Sequence, residues 1–148
     1  METATQQESP FGESIKAEDI VDTLGFFDNW EDRYKYIIDL GKEIPPIDPA
    51  KQTDAYLIRG CQSQVWLDAK TADGKIWFQV DSDAFIVKGL LGVVLAAYNG
   101  RSPQEILDFD IDSYFAELEL LKHLSQTRGN GLRAMVKRIR DIAEAELA

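Results

Sequence analysis

Apolar positions recur at helical spacing near both ends of the chain and at strand spacing in the middle. From Ala17 to Leu24, Ile20, Val21 and Leu24 share one face, and Gly25 stops the segment. From Trp30 to Leu40, Trp30, Tyr34, Ile37 and Ile38 form an apolar stripe opposite Glu31, Asp32 and Asp39. Asp28 or Asn29 can cap this second helix, and Gly41 with Pro45-Pro46 ends it. Residues Ile44 to Asp54 read as a loop with room for one helical turn. The period then becomes two. Ala55–Arg59, Gln64–Lys70 and Lys75–Val80 read as strands, with Ala72-Asp73-Gly74 as the hairpin turn between the last two. A three-stranded antiparallel meander is the economical arrangement.

Ser82 or Asp83 is placed to cap a helix over Ala84–Tyr98. That stretch is apolar on nearly every face and carries one charge, Lys88, which predicts a central buried helix. It should pack across the sheet and under the loop after Gly60. Gly89 and Gly92 each cost about 1 kcal/mol in a helix interior, which implies that another backbone comes close. Ser102-Pro103 starts a short helix, and Ser113–Leu120 reads as another. Ser125–Asn130 reads as a loop. The last helix is predicted over Gly131–Glu146, with Leu132, Met135, Val136, Ile139 and Ile142 on one stripe. The expectation is an α+β fold: a single domain, 11–148, in which a small three-stranded antiparallel sheet packs against helices. Residues 1–10 are expected to form a flexible tail.

Composition narrows the function classes. A net charge of -10 over 148 residues makes nucleic acid and anionic membranes poor partners. No apolar run reaches membrane-spanning length, and without an apolar stretch behind a basic start no secretory leader is expected. A single cysteine excludes an internal disulfide, a Cys-x-x-Cys pair and a metal site of several thiolates. A reducing, cytoplasmic location is therefore expected, where a free thiol persists.

That cysteine is Cys61, within Gly60-Cys61-Gln62-Ser63-Gln64-Val65-Trp66. It falls on a connection between two strand-like runs, and connections carry a large share of function. Gln62, Ser63 and Gln64 bring hydrogen-bonding groups but no general base, so the sulfur would have to react as a thiolate in its own right. The plain alternative is an inert buried thiol. His123, the only histidine, could pair with Cys61, or could simply cap a helix end. Asp81, Ser82 and Asp83 could hold a metal, but read better as a turn and a cap. Arg128 lies in a polar, glycine-containing stretch and can face an anionic sulfur, a partner carboxylate or solvent. Trp30, Trp66 and Trp77 fit half-buried faces better than a ligand platform.

Taken together these stretches resemble the SufE family of sulfur acceptor proteins. The cysteine motif resembles that family's signature. Trp30-Glu31-Asp32-Arg33-Tyr34 with Ile37-Ile38-Asp39-Leu40-Gly41 is similar to its second helix. Asp81-Ser82-Asp83-Ala84 with Ile86-Val87-Lys88-Gly89-Leu90 is similar to its central helix, and Leu124-Ser125 with Arg128 and Gly131-Leu132 to the entry of its last. The likeness runs collinearly from about Phe11 to Ile142.

The resemblance implies a fold like that of the SufE and IscU-type proteins. It implies that Cys61 accepts persulfide sulfur from a cysteine desulfurase that uses pyridoxal phosphate (PLP), stimulates that enzyme, and passes the sulfur on for iron–sulfur cluster assembly or related trafficking. The chain itself would be an accessory protein rather than an enzyme, and would bind no cofactor or metal. Asp83 and Arg128 match charged family positions near the cysteine loop of Gly60, Gln62, Ser63 and Gln64. The partner would be a SufS-like or CsdA-like desulfurase. Gln62-Ser63-Gln64 resembles the first branch, and the N-terminal extension around Pro10-Phe11-Gly12 resembles the CsdE branch. A cluster scaffold would be the downstream acceptor, and the chain would be a monomer or weak homodimer. Two other readings stay open on the residues alone: an enzyme using Cys61 as a hydrolytic or peroxidatic nucleophile, and an interaction module with an inert cysteine.

Overall fold

The computed structural model describes residues 9–60 and 63–148. Helices α1 (Ala17–Phe26) and α2 (Trp30–Gly41) come first, then an irregular arm, a hairpin of β1 (Val65–Ala72) and β2 (Lys75–Ser82), and the central helix α3 (Phe85–Tyr98). Four more helices follow: α4 (Pro103–Asp108), α5 (Ile111–Leu118), α6 (Leu120–His123) and α7 (Gln126–Leu147).

The α+β reading holds, with one correction. Among the described residues the sheet has two strands, not three. The expected first strand, Ala55–Arg59, is consumed at its start by a 3-10 turn over Asp54–Tyr56, and the Leu57 amide donates back to the Asp54 carbonyl. What remains of the pairing is one bridge, Leu57 to Trp66, and a hydrogen bond from the Ile58 amide to the Val65 carbonyl at 2.8 Å. The hairpin turn forms where expected. Asp73 and Gly74 have φ of 55° and 76°, the left-handed pair that matches the twist of a two-residue connection.

Strand alternation gives the hairpin two faces. Val65 and Leu67 with Ile76, Phe78 and Val80 are buried on one face, and α3 packs against β2. Helix α3 is buried at every residue from Ile86 to Tyr98 except the half-exposed Lys88. Its all-round apolar sequence therefore does mark the centre of the core. Gly89 permits the close approach its cost implied: a Cβ there would lie 2.2 Å from the Ile37 carbonyl oxygen of α2.

The N-terminal segment is bolted to the end of α3. The Asn99 side chain accepts from the Phe78 amide at 2.8 Å and donates to the Phe11 carbonyl at 3.1 Å. Ser9 is buried, with its hydroxyl accepting from the Phe11 amide. Three amides, those of Glu13, Ser14 and Ile15, donate to the Pro10 carbonyl. Ser9 and Pro10, assigned to the tail by sequence, belong to the folded unit. Residues 1–8 lie outside the described residues.

Two helix boundaries also differ. Neither Ser82 nor Asp83 is the N-cap of α3; that position is Ala84, without a side-chain cap. The last helix starts at Gln126 rather than Gly131, because Ser125 caps it by accepting from the Arg128 amide at 3.3 Å. Gly129 and Gly131 thus sit inside the helix, both buried. Packing at that end, with Leu121 against Gly129, outweighs the poor helix propensity of glycine.

Candidate functional site

Residues 44–60 form an arm that crosses the second face of the hairpin. Its side chains pin it to the polar positions of that face. The Lys51 ammonium pairs with Asp68 at 2.7 Å and donates to Gln79 at 3.2 Å. Asp68 and Gln79 are cross-strand partners, so one lysine ties the arm to both strands. The hydrogen bond to Asp68 raises the Lys51 pKa above its ordinary value. Gln52 donates to Asp81 at 3.1 Å. Farther along, the Arg138 guanidinium of α7 reaches the Leu57 carbonyl at 3.5 Å.

The arm leads into the cysteine loop. Cys61 and Gln62 lie outside the described residues; the two edges of the loop are described. On the upstream edge, Gly60 has φ +91°, a left-handed conformation that glycine adopts without strain. A Cβ there would also lie 3.3 Å from the Cβ of Ala134, so a side chain would press on α7. On the downstream edge, Asp83 makes a reciprocal pair with Gln64. Its carboxylate accepts from the Gln64 amide at 3.1 Å, and its own amide donates to the Gln64 carbonyl at 3.3 Å. Asp83 fastens the loop exit to the start of α3 instead of capping that helix.

Ser63 opens onto a cavity of about 240 Å³. Val87 and Leu90 of α3 line one side, and Ser125, Thr127, Arg128, Gly131 and Met135 line the other. The wall is apolar on the α3 side and polar on the α7 side. Arg128 is half-buried, and among the described residues its guanidinium has no hydrogen bond or ion pair. It projects a positive charge from the first turn of a 22-residue helix, whose exposed amide dipoles have the same sign. An anionic sulfur brought to this cavity would meet a favourable field on one side and a dry surface on the other.

The structure thus brings Gly60, Ser63, Gln64, Asp83 and Arg128 into one neighbourhood. It takes His123 elsewhere. That ring stacks on Trp30 at 4.3 Å between centroids and lies 3.9 Å from Glu119, at the junction of α2 with the α5–α6 break. Asp81, Ser82 and Asp83 do not converge as a ligand set. Asp81 is engaged by Lys88 at 3.3 Å and by Gln52, Ser82 accepts from Ala84, and Asp83 serves Gln64. Among the described residues no three His, Asp or Glu are grouped to hold a metal ion. Of the tryptophans, Trp66 is buried and Trp30 and Trp77 are half-buried. No described helix is long and apolar enough to cross a membrane.

Sequence reasoning missed Lys51, Gln52 and Arg138, which link the arm to the body, and Ser125 as the cap of the helix that carries Arg128. The signal for the last was present: Ser125 stands three residues before Arg128 ahead of an apolar stripe, as a cap does.

Known proteins place this geometry among relatives. Residues 18–143 match the SufE family model, described as an Fe-S metabolism associated domain. An uncharacterized SufE-like protein of Rhizobium etli is 42% identical over 146 residues, covering 94% of this chain and 99% of the relative. One of Rhizobium meliloti is 42% identical over 132 residues, covering 86% and 94%. Among solved structures, a hypothetical protein from Thermus thermophilus has the same fold. It superposes with a TM-score of 0.72 at 19% identity, covering 88% of this chain and 95% of that one.

Proposed function

The chain belongs to the SufE family, and from that premise we propose that it is a sulfur acceptor and carrier with Cys61 as the acceptor. The donor is the persulfide on a cysteine of a desulfurase whose own cofactor is PLP. The Cys61 thiolate attacks the terminal sulfur of that persulfide. The donor S–S bond breaks, its electron pair leaves with the desulfurase cysteine as a thiolate, and a new S–S bond forms at Cys61. No net oxidation occurs, so no metal or further cofactor is needed. The persulfide then passes to a downstream acceptor in Fe–S metabolism.

One observation carries this reading. The loop that holds the chain's only cysteine is closed by the Ile58–Val65 hydrogen bond and the Asp83–Gln64 pair, and its Ser63 lines a cavity that presents Arg128, a cation with no partner among the described residues. A transferring sulfur is anionic before and after the step, and a cation within reach stabilises both states. The lack of a second thiol also suits the task, since nothing within the chain can resolve the persulfide into a disulfide.

The test is turnover of a cognate cysteine desulfurase, followed as alanine release. Adding the chain is expected to raise the rate, and Cys61→Ser to abolish the rise. Equal stimulation by Cys61→Ser would sink the acceptor role and leave only a binding role.

A further inference from the structure

Helix α3 forms the centre of the core, yet one of its apolar residues stands outside it. Phe85, the first residue of the helix, is 80% exposed, whereas Ile86, Val87 and each apolar residue from Leu90 to Tyr98 are buried. The ring belongs neither to the core nor to the side chains packed against it. Among the described residues, the other exposed large apolar side chains, Phe26 and Leu147, end α1 and α7. Phe85 instead begins a helix, and it does so beside the cysteine loop. Val65 pairs with Ser82 at the end of the hairpin, and the Gln64–Asp83 pair extends that register by one step. Phe85 is two residues beyond Asp83, so their Cα atoms lie within about 8 Å of each other. Side chains on a helix lean toward its N-terminus, which from the first turn is toward the loop exit.

We propose, on the acceptor reading of Cys61, that Phe85 is the anchor by which the chain grips its persulfide donor, seated in an apolar socket of the desulfurase. Sulfur passes between two proteins only when the donor covers the cysteine loop. A standard interface takes about 800 Å² from each partner, a patch about 30 Å across. A patch laid over the loop exit at Gln64 therefore takes in Phe85. The charged residues around it in the chain already have partners: Asp81 has Lys88 and Gln52, and Asp83 has the Gln64 amide. Covering them strands no lone charge. An aromatic ring within a polar rim is the arrangement in which binding energy concentrates. The free chain leaves this ring in water, so its burial adds to affinity and nothing to the free fold. Arg128 and its cavity attend to the sulfur, and Phe85 to the protein that brings it.

Two titrations test this. In the first, desulfurase turnover is followed as alanine release while the chain is added. Phe85→Ser is expected to raise the concentration for half-maximal stimulation about tenfold or more and to leave the plateau rate where it was. Phe85→Leu keeps an apolar anchor and should shift it by about threefold or less. In the second, calorimetry reads binding to the desulfurase with Cys61→Ser in every chain, so that docking is measured without sulfur transfer. Adding Phe85→Ser should weaken it by the same factor. Unchanged affinity and half-saturation in Phe85→Ser would overturn the proposal, as would a lowered plateau at wild-type affinity or a wild-type chain that does not bind. The thermal midpoint of Phe85→Ser should match that of the wild type, and a fall of several degrees would mean that the ring serves the fold instead. Binding that depends on Phe85 without any sulfur reaching the wild-type chain would uphold the anchor and remove the acceptor role alone.

Discussion

Between α2 and α3, two backbones touch. A Cβ on Gly89 would fall 2.2 Å from the Ile37 carbonyl oxygen, and one on Gly41 would fall 2.8 Å from the Gly89 amide nitrogen. The 44–60 arm has no such contact. Its regular structure is two 3-10 turns of three residues each; buried Ile44, Ile47 and Ile58, the Leu57–Trp66 bridge and side-chain links from Lys51, Gln52 and Arg138 hold it to the body. Close apolar packing can open only by unfolding, whereas the 48–57 stretch of the arm, between buried Ile47 and Ile58, is held by polar pins at half-exposed positions that open and close at modest cost. The chain therefore joins a rigid platform to an arm whose 48–57 stretch is held less tightly, and the described edges of the cysteine loop, Gly60 and Ser63, follow that stretch.

The platform side of the contrast is the more fragile to substitution. Gly89→Ala is expected to destabilise by about 3 kcal/mol or more, because backbone rather than a flexible side-chain end stands in the way. The thermal midpoint should fall by roughly 10 °C. A shift under a few degrees would mean that α2 and α3 can slide apart, and the contrast with the arm would fade. Asn99→Ala removes the acceptor for a buried amide and the donor to Phe11. About 2 kcal/mol is expected, with faster hydrogen exchange at the 9–15 segment.

The arm is expected to respond in the other manner. Lys51→Met should cost about 1 kcal/mol or less in global stability. It should nonetheless speed amide exchange across 48–60 while leaving α3 unchanged. Equal acceleration in both regions would show that arm and platform open together. The raised Lys51 pKa fixes the pH sense. This pin is fully present below the lysine's unfolded pKa and is lost as pH rises through the higher folded value, so it holds throughout the neutral range.

The smallest effect is a control that belongs to neither region. A hydrogen bond from the Ser102 amide lowers the Glu105 pKa, and bonds from the Ser113 hydroxyl and amide lower that of Asp110. Carboxylates with depressed pKa values contribute above the ordinary carboxylate range and lose that contribution as pH falls through the folded values. Acid should therefore fray the first turns of α4 and α5, seen as amide exchange at Ser102 and Ser113, before it touches α3. Exchange of α3 rising at the same pH would contradict this order.

Most of the platform was legible in the sequence because it follows from period and punctuation. The stripe at Trp30–Ile38, the all-apolar 85–98 run and the Asp73-Gly74 turn each have one good solution. The arm was not legible for the opposite reason. Tyr56-Leu57-Ile58 has strand-like residues, but a local turn at Asp54 takes the Leu57 amide that a ladder would need. Lys51 and Gln52 look like any solvated pair until the register Asp68↔Gln79 sets their partners. The start of α7 differs from the loop expected over Ser125–Asn130 because glycine disfavours helix by propensity, and the packing of Leu121 on Gly129 that overrides it is not visible in the sequence. At the site, the uniqueness of Cys61 and its glycine-flanked loop left a reactive and an inert thiol both open, and the family resemblance favoured the first. Asp83 was found for a family position, and its bond to Gln64 gives that position a physical role.

The most direct test of the central claim is a single-turnover transfer read by intact mass. A desulfurase loaded with one persulfide, freed of cysteine and reductant, is mixed with an equal amount of this chain. The account predicts that one sulfur atom leaves the desulfurase and appears on the chain, and that Cys61→Ser leaves it where it was. Sulfur that stays on the desulfurase with the wild-type chain bound would contradict it.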